Sequence, residues 1–544
     1  MSEAVGTGGA QKGFLGWVER TGNRLPDPVF IFFYLIIALV AVSVICALTG
    51  VAATHPTQVT DAGEPVVVRA VSLLAPENIQ RLWVEMPATF THFHPLGYVL
   101  VVMLGAGVAE RSGLFASAIR GAVRGAPKTM LTPLVALVAM LSNHAADAGY
   151  VVMIPLAAII FASAGRHPLA GIAAAFAGVS GGFSANVAPG QLDALLFGIT
   201  ETAYTASSID AGWSVNIAGN TYFIIALLML YLPVIWFVTD RVIEPRLGTW
   251  APGPEHAHDY GNEDDPLTPD QLKGLRMAGL AVLGVVALWA FMTLGPGTPL
   301  YLTDADYAAQ GLTTQEVAGK EWFDRLNPFF RSLVAGFLVL FLAAGWAYGA
   351  AANTINNHRD LVAMMSEAMK DMGYYLVLAF AAAHFVAMFG WSNLGLITAV
   401  HGADAIRSSG LPLPVVLGLL VILTGVLNLF VGSASAKWAL LAPVFVPMLM
   451  LLGISPEGAT AAYRVGDGAT NIITPLMVYF PLILVFAQRW QKDFGLGSLT
   501  ATMIPYSIWM LALGVALMMV WVFLGLPLGP GAPAGIELPA GVSR

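Results

Sequence analysis

Arg464 and Asp467 sit in a segment that is otherwise apolar over most of its length, AAYRVGDGATNIITPLMVYFPLILVF (461–486). Residues three apart share a helix face, so the two could neutralise each other as a structural ion pair. Alternatively, the Arg464 guanidinium forks onto a solute carboxylate, a task its planar donors suit. Asp467 would then hold the arginine or exchange a proton. Asn471 and Thr474 add hydrogen-bonding groups, and Gly466, Gly468 and Pro475 interrupt the helix. Ionisable groups at bilayer depth are costly and persist where they pair, line a cavity or handle a solute or ion.

Three more polar groups of residues interrupt apolar runs. GVSGGFSANVAPGQLDALL (178–196) contains the helix breakers Gly181, Gly182, Pro189 and Gly190. Ser184 and Asn186 supply oxygens beside freed carbonyls, chemistry that suits a hard cation such as Na+ or simply satisfies a kink. Asp193 could carry a proton, ligate a cation or pair with a basic group. GSASAKW (432–438) gathers small residues around Ser435, then Lys437 and Trp438. Trp438 offers a flat apolar face to an aromatic solute or to ordinary packing, and Lys437 neutralises a nearby Asp. Asn143, His144 and Asp147 break the run 129–165.

These groups must be positioned by membrane helices. The 544 residues are 57% hydrophobic and 11% charged, with a mean hydropathy of +0.73, far from the roughly 25% charge of soluble domains. Spans are expected at about 29–50, 94–112, 168–203, 219–243, 274–296, 329–352, 372–400, 458–487 and 501–527. The third, seventh and eighth are broken. The pairs 129–165 and 412–453 have short halves around a polar break and read as re-entrant hairpins, whose tips must be surrounded by protein or a water-filled cavity. The run starting at Val29 is too long for a signal-peptide core and reads as a retained span. Arg111, Arg120, Arg166, Arg241, Arg246, Lys273, Arg359 and Lys370 fall on one face, which places the N-terminus in the cytoplasm. With a net charge of −8 and no basic stripe, a nucleic-acid role is excluded. The single Cys46 excludes a disulfide framework. His256, His258 and Asp259 in the linker 244–271 form no ligand set.

The two hairpin regions align without gaps. Pro155 and Pro443, Pro168 and Pro456, and Gly178 and Gly466 are each 288 positions apart, and Tyr150 falls on Trp438. One unpaired span between the halves inverts the second, and such folds place their site at the midplane between broken helices. The chain therefore divides into an N-terminal segment (1–28), a first repeat (29–243), and a linker with the extra span and an outer loop (244–328). A second repeat (329–531) and a tail (532–544) complete it. The expected fold is an all-α polytopic membrane protein: about nine transmembrane helices plus two re-entrant hairpins in an inverted repeat. The expected site joins tips 142–147 and 432–437 to unwound stretches at about 181–190 and 466–475.

Enzyme motifs are poor: there is no HExxH, and VGDG (465–468) has Arg464 where an intramembrane aspartyl protease needs glycine. The motifs AFAGVSGGFSANVAPGQLDALLFGIT (175–200), GSASAKWALLAPVFVPML (432–449) and YRVGDGATNIITPL (463–476) resemble the p-aminobenzoyl-glutamate transporter family, within the ion-transporter superfamily. The resemblance spans essentially the whole chain. It implies a homodimer in a bacterial inner membrane, each protomer with an inner scaffold and an outer transport core. It places functional positions at Asp193, Ser435, Trp438, Pro456, Arg464, Asp467 and Pro475, with Asn471 beside them. The implied solutes are small aromatic acids: p-aminobenzoyl-glutamate, p-aminobenzoate or sulfonamide antimetabolites. No cofactor is expected beyond a coupling ion, H+ or Na+. Proton-driven efflux through Asp193 and Asp467 is the first expectation. The alternative is Na+-coupled import, with the cation near Asn143, Ser184 and Asn186. The superfamily's sodium symporters carry Ser-Asn-Thr at both tips, whereas here the tips read Ser142-Asn143-His144 and Gly432-Ser433-Ala434-Ser435.

Overall fold

The structure, a computed structural model, describes residues 27–536 apart from 60–63, 124–126, 128–129, 146–148, 208, 210–211, 251–266, 321, 476 and 478. Asp147, the linker residues His256, His258 and Asp259, and most of the two terminal segments lie outside the described residues. The first half contains α1 (Pro28–Thr49), α2 (His94–Arg111), α3 (Leu131–Leu141), α4 (Ile154–Ser163), α5 (Pro168–Phe176), α6 (Gln191–Ser207) and α7 (Thr221–Val238). The single helix α8 (Pro269–Thr293) follows. The second half contains α9 (Asn327–Ala351), α10 (Gly373–Trp391), α11 (Leu413–Asn428), α12 (Ala434–Leu451), α13 (Pro456–Asn471), α14 (Phe480–Trp490) and α15 (Leu496–Phe523).

Seven helices among the described residues are long and apolar enough to cross a membrane, and α2 with the bent segment after it would make an eighth. One of the seven is α12, the second arm of the hairpin α11–α12. The segments 168–203 and 458–487 are broken as expected. A π-helical turn at Ala177–Gly181 and an irregular stretch interrupt the first, and a break after Asn471 interrupts the second. The second break is displaced from expectation. The helix runs through Gly466 and Gly468 and ends at Asn471, so the unwinding begins at 472 rather than at 466. Those glycines serve close packing instead.

The chain is not purely helical. The segment after α1 starts with antiparallel strands β1 (Ala52–Val59) and β2 (Pro65–Arg69), with Ala52 opposite Arg69. Val66, Val67 and Val68 favour a pleated, half-buried surface.

Residues 288 apart play matching structural parts. Gly165 and Gly453 both close a hairpin arm with a left-handed φ, +77° and +88°. Pro168 and Pro456 both start the next helix at a position where the missing N–H costs nothing. A methyl on Gly178 would lie 2.6 Å from Ala139 Cβ and 2.9 Å from the Ala136 carbonyl. A methyl on Gly466 would strike the Val421 carbonyl and the hydroxyl of Thr424, which stands 288 beyond Ala136.

Buried apolar side chains form two clusters. The smaller joins α2, α8 and α9, including Val102, Ala278, Phe341 and Tyr348. The larger holds α1, both hairpins and the broken helices. The chain's last described residues are sewn onto the root of α13. Ser455 N–H donates to the Ala534 carbonyl at 3.0 Å, Ile536 N–H to Gly453 at 2.9 Å, and Asn216 Nδ2 to Pro530 at 2.6 Å.

Because the atoms facing Gly466 are largely backbone, Gly466→Ala should cost about 1–3 kcal/mol by overpacking. Gly279→Ala in α8, with nothing within 4 Å of the added carbon, should be neutral. Melting of the detergent-purified variants checks this: Gly466→Ala falls well below wild type and Gly279→Ala matches it.

Candidate functional site

Every residue of α13 from Pro456 to Asn471 is buried, so each of its polar side chains must find a partner inside the protein. Arg464 and Asp467 do not pair with each other. Arg464 Nη1 donates to Asp193 Oδ1 at 2.8 Å, and the Asn220 side-chain oxygen lies 3.4 Å away. Asp193 Oδ2 accepts from Gly190 N–H at 2.8 Å, which fixes the carboxylate at the irregular entry to α6. Asp467 pairs instead with Lys437, whose ammonium also donates to Asn428 Oδ1. The reason is directional. A three-residue spacing puts the two groups on one face, but each is drawn outward to an opposite charge on a neighbouring element.

Asn428 organises the second pair. Its Nδ2 reaches the Asp467 carbonyl at 2.8 Å, Thr470 Oγ1 at 2.9 Å and Asn471 Oδ1 at 2.8 Å, which turns its oxygen toward Lys437. Tyr463 donates to the Ala434 carbonyl at 2.6 Å and lies 3.4 Å from Asp467 Oδ1. The α12 hairpin arm is thereby tied to α13 by an ion pair and a hydrogen bond. The four charged residues are at most 4% exposed. Such pairs offset their own desolvation only while both partners remain, and removing one partner leaves a stranded charge.

Trp438 is fully buried and does not face a cavity. Its ring stacks on Tyr463 (centroids 4.6 Å, 24° between planes) and its Nε1 donates to Thr200 Oγ1 at 2.9 Å. Ser435 is half-buried and lies 3.3 Å from Ser433. Pro456 is buried at the start of α13, and Pro475 is half-buried in the break after it.

A cavity of about 360 Å³ opens where the hairpin tips and helix breaks converge. Asn143 of the first tip, Gly432 and Ala434 of the second, Gln191 at the start of α6 and Asn471 at the end of α13 line it. Phe183, Tyr375 and the stacked pair Tyr150–Tyr479 (4.3 Å, 10°) form its aromatic wall. None of its lining residues is charged. The volume and the mix of aromatic wall and few polar groups suit a small flat organic solute.

Asn143, Ser184 and Asn186 come together beside the first tip. The Nδ2 groups of Asn143 and Asn186 both address the Met140 carbonyl, at 2.9 and 3.4 Å, and Asn186 Oδ1 is occupied by Val187 N–H. The Ser184 hydroxyl is buried without a partner. Among the described residues, no group of three or more His, Cys, Asp or Glu gathers for a metal.

Two helical hairpins, two interrupted helices and buried ion pairs around a central cavity define a membrane transporter of the broken-helix kind. The chain belongs to the AbgT putative transporter family, whose model matches residues 13–536. It is 36% identical over 520 residues to a p-aminobenzoyl-glutamate transport protein from Escherichia coli (strain K12), covering 95% of this chain and 96% of that one. It is similar to the crystal structure of the Alcanivorax borkumensis YdaH transporter (TM-score 0.82, 41% identity, 93% of this chain and 100% of that one). It is also similar to Neisseria gonorrhoeae MtrF, described among antimetabolite efflux pumps (TM-score 0.85, 39% identity, 96% and 100%).

Several site groups escaped the sequence reading. Asn428 was legible as one amide in the apolar run 413–428. Glu457, Thr460, Arg464, Asp467 and Asn471 recur at alternating spacings of three and four, the helical period. Tyr375, Tyr479 and Gln191 gave no signal above that of ordinary membrane-helix residues. A double-mutant cycle checks the Lys437–Asp467 pair. Lys437→Met should cost about 3–5 kcal/mol by stranding Asp467, and Lys437→Met with Asp467→Asn should recover most of it. Thermal melting in detergent reads both, and additive losses would show that the pair is uncoupled.

Proposed function

We propose that this protein exports p-aminobenzoate, p-aminobenzoyl-glutamate and related aromatic acids or sulfonamide antimetabolites across a bacterial inner membrane, driven by proton entry. The protein acts as a homodimer with its N-terminus in the cytoplasm. The observation that carries the reading is the buried Asp193–Arg464 pair behind an uncharged aromatic cavity. Arg464 also keeps one buried donor, Nε, without an acceptor. Ionised Asp193, held by Arg464, accepts from a solute N–H. A proton on Asp193 removes that acceptor and releases the solute, and loss of the proton restores the site. Proton and solute thus compete for one carboxylate, which is the linkage an exchanger requires. Similarity to the p-aminobenzoyl-glutamate transport protein of Escherichia coli and the antimetabolite efflux pump of Neisseria gonorrhoeae supports the solute class. The exposed flank of α8, with Leu280, Leu283 and Phe291, faces lipid or the second protomer.

The Na+-coupled import reading draws on the unpartnered Ser184 hydroxyl. Near the first tip the Met140 and Gly182 carbonyls already accept from the Asn143 and Asn186 amides, which leaves a cation fewer free oxygens and favours the proton.

In proteoliposomes, flux of labelled p-aminobenzoate should follow an imposed pH gradient and ignore Na+. Flux that tracked Na+ and ignored protons would overturn the reading. Asp193→Asn should bind solute yet transport it with a flat pH profile. Arg464→Ala should insert normally and lose solute binding at least tenfold, measured by equilibrium binding; wild-type affinity would make Arg464 purely structural.

A further inference from the structure

Glu457 has no part in the pairs described above, yet it is only 3% exposed. It lies in the first turn of α13, at the opposite end from the cavity residue Asn471. An acidic residue there gains from the helix dipole, but an exposed side chain would gain as well, so the dipole does not explain its burial. No cation pairs with it among the described residues. Its Oε1 accepts from Trp213 Nε1 at 2.8 Å. Trp213 is half-buried, between exposed Gly212 and Ser214, so the indole stands between the carboxylate and solvent. Tyr204 packs edge-on against that indole at 5.0 Å.

Inward from Glu457, α6 and α13 meet along a polar seam. Thr460 and Thr200 hydroxyls lie 2.9 Å apart. Below them Arg464 meets Asp193. Asn220 spans the same interval, with Nδ2 on the Glu457 carbonyl at 3.0 Å and Oδ1 3.4 Å from Arg464. Residues 457, 460 and 464 share one face of α13, and the first and last are about 10 Å apart along the axis. Glu201, next to Thr200 in sequence, turns away to accept from Tyr98 at 2.9 Å. Ser455, Trp213, Asn220, Trp438, Arg464 and Asp193 are thus the polar side chains that face this carboxylate and its seam, and the Leu196 and Pro456 carbonyls accept from the Thr200 and Thr460 hydroxyls.

We propose that Glu457 is the carboxylate that takes up the proton at the outer end of the transport cycle and feeds it along the α6–α13 seam to Asp193. This rests on the proton-coupled reading above and deepens it. A proton from outer water bonds to a Glu457 oxygen, and the neutral acid releases it toward the Thr460–Thr200 hydroxyls. Each hydroxyl accepts one proton as it gives one up. The proton ends on Asp193, leaving Glu457 charged again and Arg464 released. Only O–H bonds form and break.

The test measures labelled p-aminobenzoate transport by the full-length protein in proteoliposomes as outer pH is varied, for wild type, Glu457→Gln and Glu457→Asp. Glu457→Gln, monodisperse on size exclusion, should lose at least tenfold in gradient-driven rate and show a flat outer-pH profile. Glu457→Asp should restore a pH-dependent rate. A folded Glu457→Gln variant with the wild-type profile would overturn the proposal. So would loss of both transport and solute binding in both variants, which would make Glu457 a structural prop. A wild-type rate indifferent to outer pH would sink the proton-coupled reading itself, so the two failures are distinguishable.

Discussion

A polar helix buried on every side is the constraint from which the rest follows. α13 can be surrounded by protein only if each of its charged side chains meets a countercharge or a hydrogen-bond donor on another element. Arg464 draws in the irregular entry of α6 through Asp193, and Asp467 draws in the second hairpin through Lys437. The small side chains at Gly178, Gly466 and Gly468 let the backbones approach closely enough for those pairs to form. Packing and electrostatics therefore specify the same arrangement: a loosened helix–hairpin contact would also open an ion pair.

The arrangement is asymmetric, although the halves correspond. The positions 288 before Arg464 and Asp467 are Phe176 and Val179, both apolar and buried. The first half contributes one carboxylate and a set of amides; the second contributes both cations. An antisymmetric frame with one-sided chemistry gives the pathway two chemically different ends.

The membrane class, the hairpins and most helix breaks were legible because they depend on local composition: apolar run length, Pro and Gly, and isolated polar residues. Gly165 and Gly453 show how far this reaches, since their offset in sequence reappears as the same left-handed turn. The pairing of charges was partly legible: Lys437 was expected beside an Asp and Asp193 was open to a basic partner. Spacing along one helix suggested Arg464 with Asp467, whereas their actual partners, Asp193 and Lys437, come from other elements. Composition left the role of Trp438 open for a related reason: a flat ring in a small-residue tip serves a solute or a neighbouring ring equally well, and in the fold Tyr463 stacks on its face. The two strands after α1 were missed because two short β-branched runs in a loop carry little weight beside long apolar helices.

The stitching of residues 528–536 onto the base of α13 has a consequence for biogenesis. Hydrogen bonds from Ser455 and Ile536, and from Asn216 to Pro530, need residues 530–536 in place before they can form. The hairpin root and the helix bearing the ion pairs therefore cannot be sealed while the ribosome is still adding α15. Closure of that root waits on residues 530–536, and a product truncated before Pro530 would reach the membrane with the root unsealed.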